Sequence, residues 1–531
     1  MQSMTGEQLR TARSNFWLSK QHKLLPEASL VGGKESTAMF NIAGMQQLIP
    51  YLNGKKHPLG TRLFNIQKCI RTVDIDEVGD ASHLTFFEMM GNRSLGDYFK
   101  KDSVNWSREF LVDVLWFDKE KLAATVFEGD KDTPRDEETA GYRKAYLPEH
   151  KIAYLPAKNN WWSPGPVWPC GPDTEIFYWV GSTEYPPVDS DPGTDEDNWL
   201  EIWNNVFMQF YRDESGQLTL LDNKNVDTGM WFERMCKVLQ GKESVYETDI
   251  FDYILADVES VLKLVYIGNE KKMRIVADHL RTSFFLIADG ITPSNEGRGY
   301  ILRRLVRRMY YNLLSLSSSP DLVLLLNTIC AAITKKFKFS IDSSTIATVL
   351  QKECLQFQKT IENWEKMLTE VEKNMWAKRI LSWKDAFKLY DTFWFPLELT
   401  KEIAIEKWFQ IDEEGFIKEM EAQQQRSRAG SKDMFKQDID RGKYIKDIAP
   451  TQFVWYAMTS LEKATLLKDF EVTPAKDGAG SQRILIFDQT PFYAESWGQK
   501  GDYGTVTLDS GEELQITDVK KYEWVFLHFV E

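Results

Sequence analysis

The chain has 531 residues, 43% hydrophobic and 27% charged, with 65 Lys+Arg against 79 Asp+Glu and a formal net charge of −14. That is an ordinary globular composition on an acidic chain, long enough for roughly three or four domains at about 150 residues each. No window reaches the roughly 18 uninterrupted apolar residues of a membrane span, the N-terminal MQSMTGEQLRTARSNFW has no apolar signal core, and five scattered cysteines show no CxxC spacing; the expectation is a soluble, cytoplasmic chain without a disulfide framework or zinc knuckle.

Up to about Gly241, β-like runs such as LTFFEMM and EIFYWVG alternate with helical ones such as NWSREFLVDVLWF, an α+β pattern. Two acidic stretches rich in Pro, Gly or Asp, residues 128–141 and 186–198, read as inserted loops. From Tyr246 to about Arg428 the periodicity is helical. There Leu350, Cys354, Phe357, Ile361, Trp364, Leu368 and Val371 recur at spacings of three and four, predicting a helix-packing seam. The hydrophilic RSRAGSKDMFKQDIDRGK reads as a hinge. Beyond it, RILIFDQT and TVTLDSGEELQIT alternate as strands around an Asp509-Ser510-Gly511 turn. The expected domains are residues 1–245, 246–445 and 446–531.

The six histidines form no HxxxH or HExxH pair, and neither a GxxxxGK[ST] loop nor a GxGxxG turn is present. Nucleotide chemistry would therefore rest on arginine side chains. The strongest basic feature is GRGYILRRLVRRM, with Arg298, Arg303, Arg304, Arg307 and Arg308 on a predicted helix. Such a face suits a polyanion, or it is neutralised by neighbouring carboxylates; charge alone does not choose. Arg71 follows the strand-like Cys69-Ile70 at the end of one arm of a hairpin, where an arginine can grip phosphate through two hydrogen bonds. Asp227 precedes a glycine, and Arg234 begins a helix-like stretch.

Taken together, FNIAGMQQ, QKCIRT, GDASHLTFFEMMGN with LGDYFK, PCGPDTEIFY, EIWNNVFMQF, VDTGM with FER, RIVADHLRTSFFLIADGITPSNEGRGYILRRLVRRM, KLYDTFWFPLELT and DQTPFYAES resemble the alanyl-tRNA synthetases in order and spacing, over nearly the whole chain. The resemblance implies a class II synthetase: an antiparallel sheet with flanking helices, a helical tRNA-recognition domain, then the start of a β-barrel editing region. It implies an alanine–tRNA ligase that uses ATP and Mg²⁺ and takes alanine and tRNA(Ala), with neither membrane nor DNA as partner. Arg71 and Arg234 match the catalytic arginines on the α- and γ-phosphates, and Phe86 or Phe87 the lining of the adenine site. Trp162, Asn204, Asp227 and Gly229 match the alanine pocket, Asp227 as counter-charge for the ammonium group. Asn295 and Asp391 match the residues that read the G·U pair of the acceptor stem, beside Arg298, Arg303, Arg304 and Arg307. A methyl-sized pocket discriminates poorly against glycine and serine, so such enzymes need editing.

Two departures stand out. The metal motifs of the editing region, HxxxH and CxxxH, are missing, so zinc is expected only outside this chain, which reads as a fragment or as a chain without proofreading in cis. The loop after Arg71 is short and lacks a basic residue common among relatives.

Tryptophan is abundant, 18 against 31 Gly, roughly 3% and 6% of the chain, where glycine is usually about 7%. At Trp116, Trp168, Trp231, Trp364, Trp383, Trp394, Trp408, Trp455 and Trp497 the resemblance implies glycine, most clearly in WPCGP, TGMW, YDTFWFP and SWGQ. An indole where glycine permits positive φ or close approach should clash. The expectation is a lineage that decodes UGA as glycine, its gene translated with UGA as tryptophan. Real tryptophans would instead imply a catalytically impaired, synthetase-like tRNA-binding protein.

Overall fold

The computed structural model describes residues 3–31, 39–163, 168–213, 216–295, 297–337 and 341–374 (side chains to 362), and beyond these 380–381, 400–401, 410–411, 448, 451–453, 461, 463–472, 482–492, 504–522 and 525–530. The chain forms two compact units, Met1–Glu362 and Asn363–Glu531.

The first unit is built on a nine-stranded sheet: β1 (Lys23–Leu24), β2 (Arg62–Ile70), β3 (Phe86–Leu95), β4 (Leu122–Phe127), β5 (Ile152–Leu155), β6 (Trp161–Trp162), β7 (Pro169–Trp179), β8 (Trp199–Arg212) and β9 (Leu218–Trp231). The order is β1-β2-β3-β9-β8-β7-β4-β5, with β6 beside β7. The pairs β1–β2 and β4–β5 are parallel and the rest antiparallel, so the expected α+β class with a predominantly antiparallel sheet is what forms.

Strand alternation gives this sheet two different faces. On one, Trp203 of β8 meets Trp17 at 6.4 Å and Phe110 at 5.9 Å between ring centroids. Trp17 belongs to the helix Gly6–Ser19, whose start is fixed by a capping box: the Gln8 N–H donates to Thr5 Oγ1 at 3.3 Å, and the Thr5 N–H to Gln8 Oε1 at 2.8 Å. The other face carries the polar residues described below.

Residues 128–141 are not wholly a loop, because a helix runs from Glu137 to Lys144. Asp136 caps it by accepting the Thr139 N–H at 3.1 Å, and Glu137 and Glu138 fill its first turn. Acidity that read as solvent-exposed loop is here a helix-start signal.

The helical segment that follows lies in the same compact unit as the sheet. The helices Asp252–Leu262, Glu270–Ala288, Gly297–Leu316 and Leu322–Phe337 belong to the first unit. Buried polar contacts bind the second of these to β3 and its surroundings: Asp278 accepts the Thr85 N–H at 3.0 Å, and Arg281 pairs with Glu233 at 2.8 Å. The predicted seam on helix Ser343–Asn374 is buried at Leu350, Cys354, Phe357 and Ile361; the side chains of Trp364, Leu368 and Val371 lie outside the described residues, as does the hinge.

In the second unit, a five-stranded sheet pairs Leu466–Val472, Gln482–Phe487, Val525–Val530, Glu513–Tyr522 and Gly504–Thr507 in that order. The expected turn is present, with Gly511 at φ 84°. Leu485, Ile516, Val519 and Val530 bury one face and Ile484, Ile486, Val525 and Phe529 the other.

Candidate functional site

The site lies on the sheet face opposite Trp203. Antiparallel register sets Met89 against Trp231 and Arg93 against Asp227 across β3 and β9, Asn204 against Gly229 and Val206 against Asp227 across β8 and β9, and Glu175 against Asn204 across β7 and β8. Residues two apart on a strand share a face, so Phe87, Met89 and Arg93 line up beside Asp227, Gly229 and Trp231, and Asn204 and Val206 beside Asp173 and Glu175. Gly229 sits in close approach: a Cβ there would stand 3.0 Å from Met89 Sδ, and the methionine would have to give way.

At one end of this face are the two expected catalytic arginines. Arg71 follows β2 in extended conformation, and its N–H donates to Thr85 O at 3.0 Å, which fixes the mouth of the β2–β3 hairpin. Its guanidinium lies 5.1 Å from the ring centroids of both Phe87 and Trp231. Arg234, in the first turn of the helix Phe232–Gln240, lies 4.1 Å from the Trp231 ring. It donates from Nη1 to Glu201 O at 3.0 Å and Glu201 Oε2 at 2.9 Å, while its Nε is buried without a partner among the described residues. Phe87 and Trp231 stack face to face, centroids 3.8 Å apart and planes within 2°.

Of the pair Phe86 and Phe87, Phe86 is not on this face. One residue out of step with Phe87, it points to the opposite side, where it stacks on Phe285 at 4.1 Å under the Arg281 guanidinium.

Glu201 pairs with Arg234 at 2.9 Å, and two further acids, Asp173 and Glu175, lie on the neighbouring strand β7. Burial pushes Asp173 up to about 7. Burial, then the charges of Glu201 and Asp173, raises Glu175 well above the carboxylate range, while Arg234 pulls it down. Asn204 donates to Glu175 Oε1 at 3.3 Å and keeps its Oδ1 buried without a partner among the described residues. These acids were not singled out from the sequence, although Asp173 and Glu175 in PCGPDTEIFY are two apart on a strand, the spacing that places both on one face.

At the other end, Asp227 accepts from Arg93 Nε at 2.8 Å, and both are buried. Arg93 also donates to Asn65 Oδ1. Burial raises Asp227 and the Arg93 charge opposes it. Trp162 on β6 packs against the cluster of Leu25, Met45, Leu48, Val206 and Met208 that closes this end. The expected alanine-pocket residues Asn204, Asp227 and Gly229 therefore share one face, with a buried arginine among them that sequence reasoning missed.

The arginine-rich helix Gly297–Leu316 is separate, and its charges are largely turned inward. Arg303 and Arg307 pair with Glu353 at 3.1 and 2.9 Å, and Arg307 lies over Phe357. Arg304 pairs with Asp76 at 2.7 Å, and Arg308 donates to Ile75 O at 2.7 Å. Arg298 donates to Met39 O, and Arg303 to the exposed Asn295. Arg304 and Arg308 thus brace the loop that follows Arg71. Asp391 lies outside the described residues.

An antiparallel sheet with two arginines beside a stacked ring, and an acid cluster next to them, defines an α+β protein with a buried polar face suited to an anionic, aromatic ligand. The chain belongs to the family described as tRNA synthetases class II (A), whose pattern it matches over residues 8–531. It is 39% identical over 543 residues to the alanine--tRNA ligase of Thermotoga petrophila, covering 100% of this chain and 62% of that protein. It is 43% identical over 453 residues to the alanine--tRNA ligase of Treponema denticola, covering 82% of this chain and 74% of that protein. The chain thus spans about three fifths of the length of the Thermotoga relative. Among the described residues no helix is long and apolar enough to cross a membrane.

Proposed function

We propose that this chain is the activating and acceptor-stem-binding part of an alanine–tRNA ligase acting in the cytoplasm. The observation that carries this reading is the placement of Arg71 and Arg234 about one planar slot on Phe87, on the same sheet face as Asn204, Gly229 and Asp227.

In this reading, ATP places its base on Phe87 and its phosphates between the two arginines. A carboxylate oxygen of alanine attacks the α-phosphorus, the bond to the bridging oxygen breaks, and pyrophosphate leaves. A terminal ribose hydroxyl of tRNA(Ala) then attacks the acyl carbon and AMP leaves. The residues contribute mainly position and charge: Arg71 and Arg234, both half-buried, neutralise phosphate oxygens where water competes less than at an open surface. Asn204 Oδ1, without a partner among the described residues, is an acceptor suited to the alanine ammonium group, with Asp227 as the nearby negative charge.

The residues fit Mg²⁺. Burial first and then the charge of Glu201 raise Glu175, a repulsion that a divalent cation removes. No three potential ligands converge among the described residues, and Mg²⁺ commonly takes only one or two carboxylates, completing its shell with phosphate oxygens and water. When bound, it would supply charge neutralisation on the phosphates. Asn295 with Arg298, Arg303, Arg304 and Arg307 form the proposed contact to the acceptor stem.

The test is alanine-dependent ATP–pyrophosphate exchange and charging of tRNA(Ala) by the protein purified from its own source, where residue 231 has its native identity. Exchange that ignores alanine, or prefers another amino acid, sinks the reading.

A further inference from the structure

Thr85 is held from both sides. Its carbonyl accepts the Arg71 N–H at 3.0 Å, one step beyond Ile70 and Phe86, the last paired residues of β2 and β3. Its own N–H donates to Asp278 Oδ1 at 3.0 Å, on the helix Glu270–Ala288. Asp278 Oδ2 is 2.8 Å from His279 Nδ1, and His279 Nε2 is 3.1 Å from Arg308 Nη1, on the helix Gly297–Leu316. Thr85, Asp278, His279 and Arg308 are all buried. A carboxylate only accepts and a guanidinium only donates, so one arrangement satisfies every member: a neutral imidazole that donates from Nδ1 to Asp278 and accepts at Nε2 from Arg308.

The same guanidinium reaches the loop between Arg71 and Thr85. Arg308 donates from Nη1 to Ile75 O at 2.7 Å and from Nη2 to Val78 O at 3.4 Å. Residues 72–84 are therefore tied to one network both in mid-course and at the bond that closes them. No carboxylate among the described residues pairs with the Arg71 guanidinium, which meets the rings of Phe87 and Trp231, so its place rests on its backbone. That backbone hangs on Thr85, and Thr85 on Asp278. Charged groups kept out of water are costly unless every hydrogen bond is made, and the reaction described above makes no direct use of these.

We propose that Asp278, with His279 and Arg308 behind it, is a positioning group for Arg71: the network fixes Thr85 and the loop 72–84, and through them the arginine that meets the α-phosphate. This deepens the adenylation reading and rests on it. It also ties that arginine to the helix whose other arginines are proposed to meet the acceptor stem.

The test is a double-variant cycle on the full chain in the Trp231→Gly background, glycine being the residue that the resemblance implies there, with folding checked by circular dichroism. Asp278→Ala is expected to lower kcat for alanine-dependent pyrophosphate exchange about 10²-fold, the cost of misplacing a reacting contact by about 1 Å, with KM for alanine little changed. Arg71→Ala removes the group that is positioned, so adding Asp278→Ala to it should cost no more than about twofold. Hydrogen exchange in peptides covering residues 71–85 is the second readout and should quicken in Asp278→Ala. Asp278→Ser, too short to reach the Thr85 N–H, replaces the alanine variant should that not fold. A kcat within about threefold of the parent overturns the proposal, and so does a loss that is equally large with and without Arg71, as a merely structural role would give. A parent without alanine-dependent exchange, in which Asp278→Ala still quickens exchange of residues 71–85, overturns the proposed function and leaves the hold on the loop standing.

Discussion

Arg93 donates from Nε to Asp227 at 2.8 Å across neighbouring strands, with both side chains out of water. Asp227 is the acid expected to meet the alanine ammonium group, yet its charge is already matched by a strand neighbour. Removing one partner of a buried pair leaves the other uncompensated, which costs about 3–5 kcal/mol. Arg93→Met therefore lowers the urea midpoint of the first unit sharply, and the double variant with Asp227→Asn regains much of the loss. Equal midpoints for Arg93→Met and the unsubstituted chain remove the pair from the account of stability.

Arg71 and Arg234 act on phosphates that gain charge density in the transition state. In the Trp231→Gly background, Arg71→Ala and Arg234→Ala each lower kcat for pyrophosphate exchange by about 10²–10³, with KM for alanine little changed. A loss confined to KM would place both arginines in ground-state binding only.

Acidification reaches each unit through a buried histidine. Burial lowers His22 to about 4 and His528 to about 4 from 6.5, so both are neutral when folded and bind protons more readily when unfolded. Their contribution is fully present above pH 6.5 and is lost as pH falls towards 4, about 3 kcal/mol each at the lower limit. Urea titrations at pH 7.5, 5.5 and 4.5 should show this slope, flattened in the first unit by His22→Gln, which removes the titrating ring beside Tyr98. An unchanged slope in that variant assigns the acid sensitivity elsewhere.

On the arginine-rich helix, Arg307 and Arg304 separate by burial. Arg307 is buried against Glu353, whereas Arg304 meets the exposed Asp76. Arg307→Ala therefore lowers stability by about 3 kcal/mol, while Arg304→Ala costs at most about 1 kcal/mol. Under the proposed acceptor-stem contact, Arg304→Ala also reduces the salt dependence of tRNA binding by about 0.7–0.9 of a counterion. An unchanged salt slope means that Arg304 serves Asp76 alone.

Peptide masses of the native protein across residues 116 and 231 are expected to show glycine at both. Tryptophan at both, in a protein that exchanges pyrophosphate with alanine, contradicts the recoding.

Several elements were readable because they rest on local rules. Alternation in LTFFEMM and RILIFDQT produced strands, and the stripe Leu350, Cys354, Phe357 and Ile361 produced a buried seam, since side-chain period follows directly from backbone geometry. Arg71 at the end of a hairpin arm was legible for the same reason. Acid-rich residues 128–141 misled because a helix start and a solvated loop use the same residues. Phe86 and Phe87 were indistinguishable until β3 acquired a register, for one step along a strand reverses the face.

The sequence by itself determined the α+β class, the family and the places of Arg71 after a strand and Arg234 at a helix start, because periodicity and motif order are properties of the chain alone. Tertiary structure decided what those charges meet: that Arg307 is drawn inward by Glu353, that Arg93 occupies the charge of Asp227, and that Trp231 lies on Phe87. Those pairings join residues tens to more than a hundred positions apart. Coulomb attraction and stacking depend on separation in space, which only the folded sheet and its helices set.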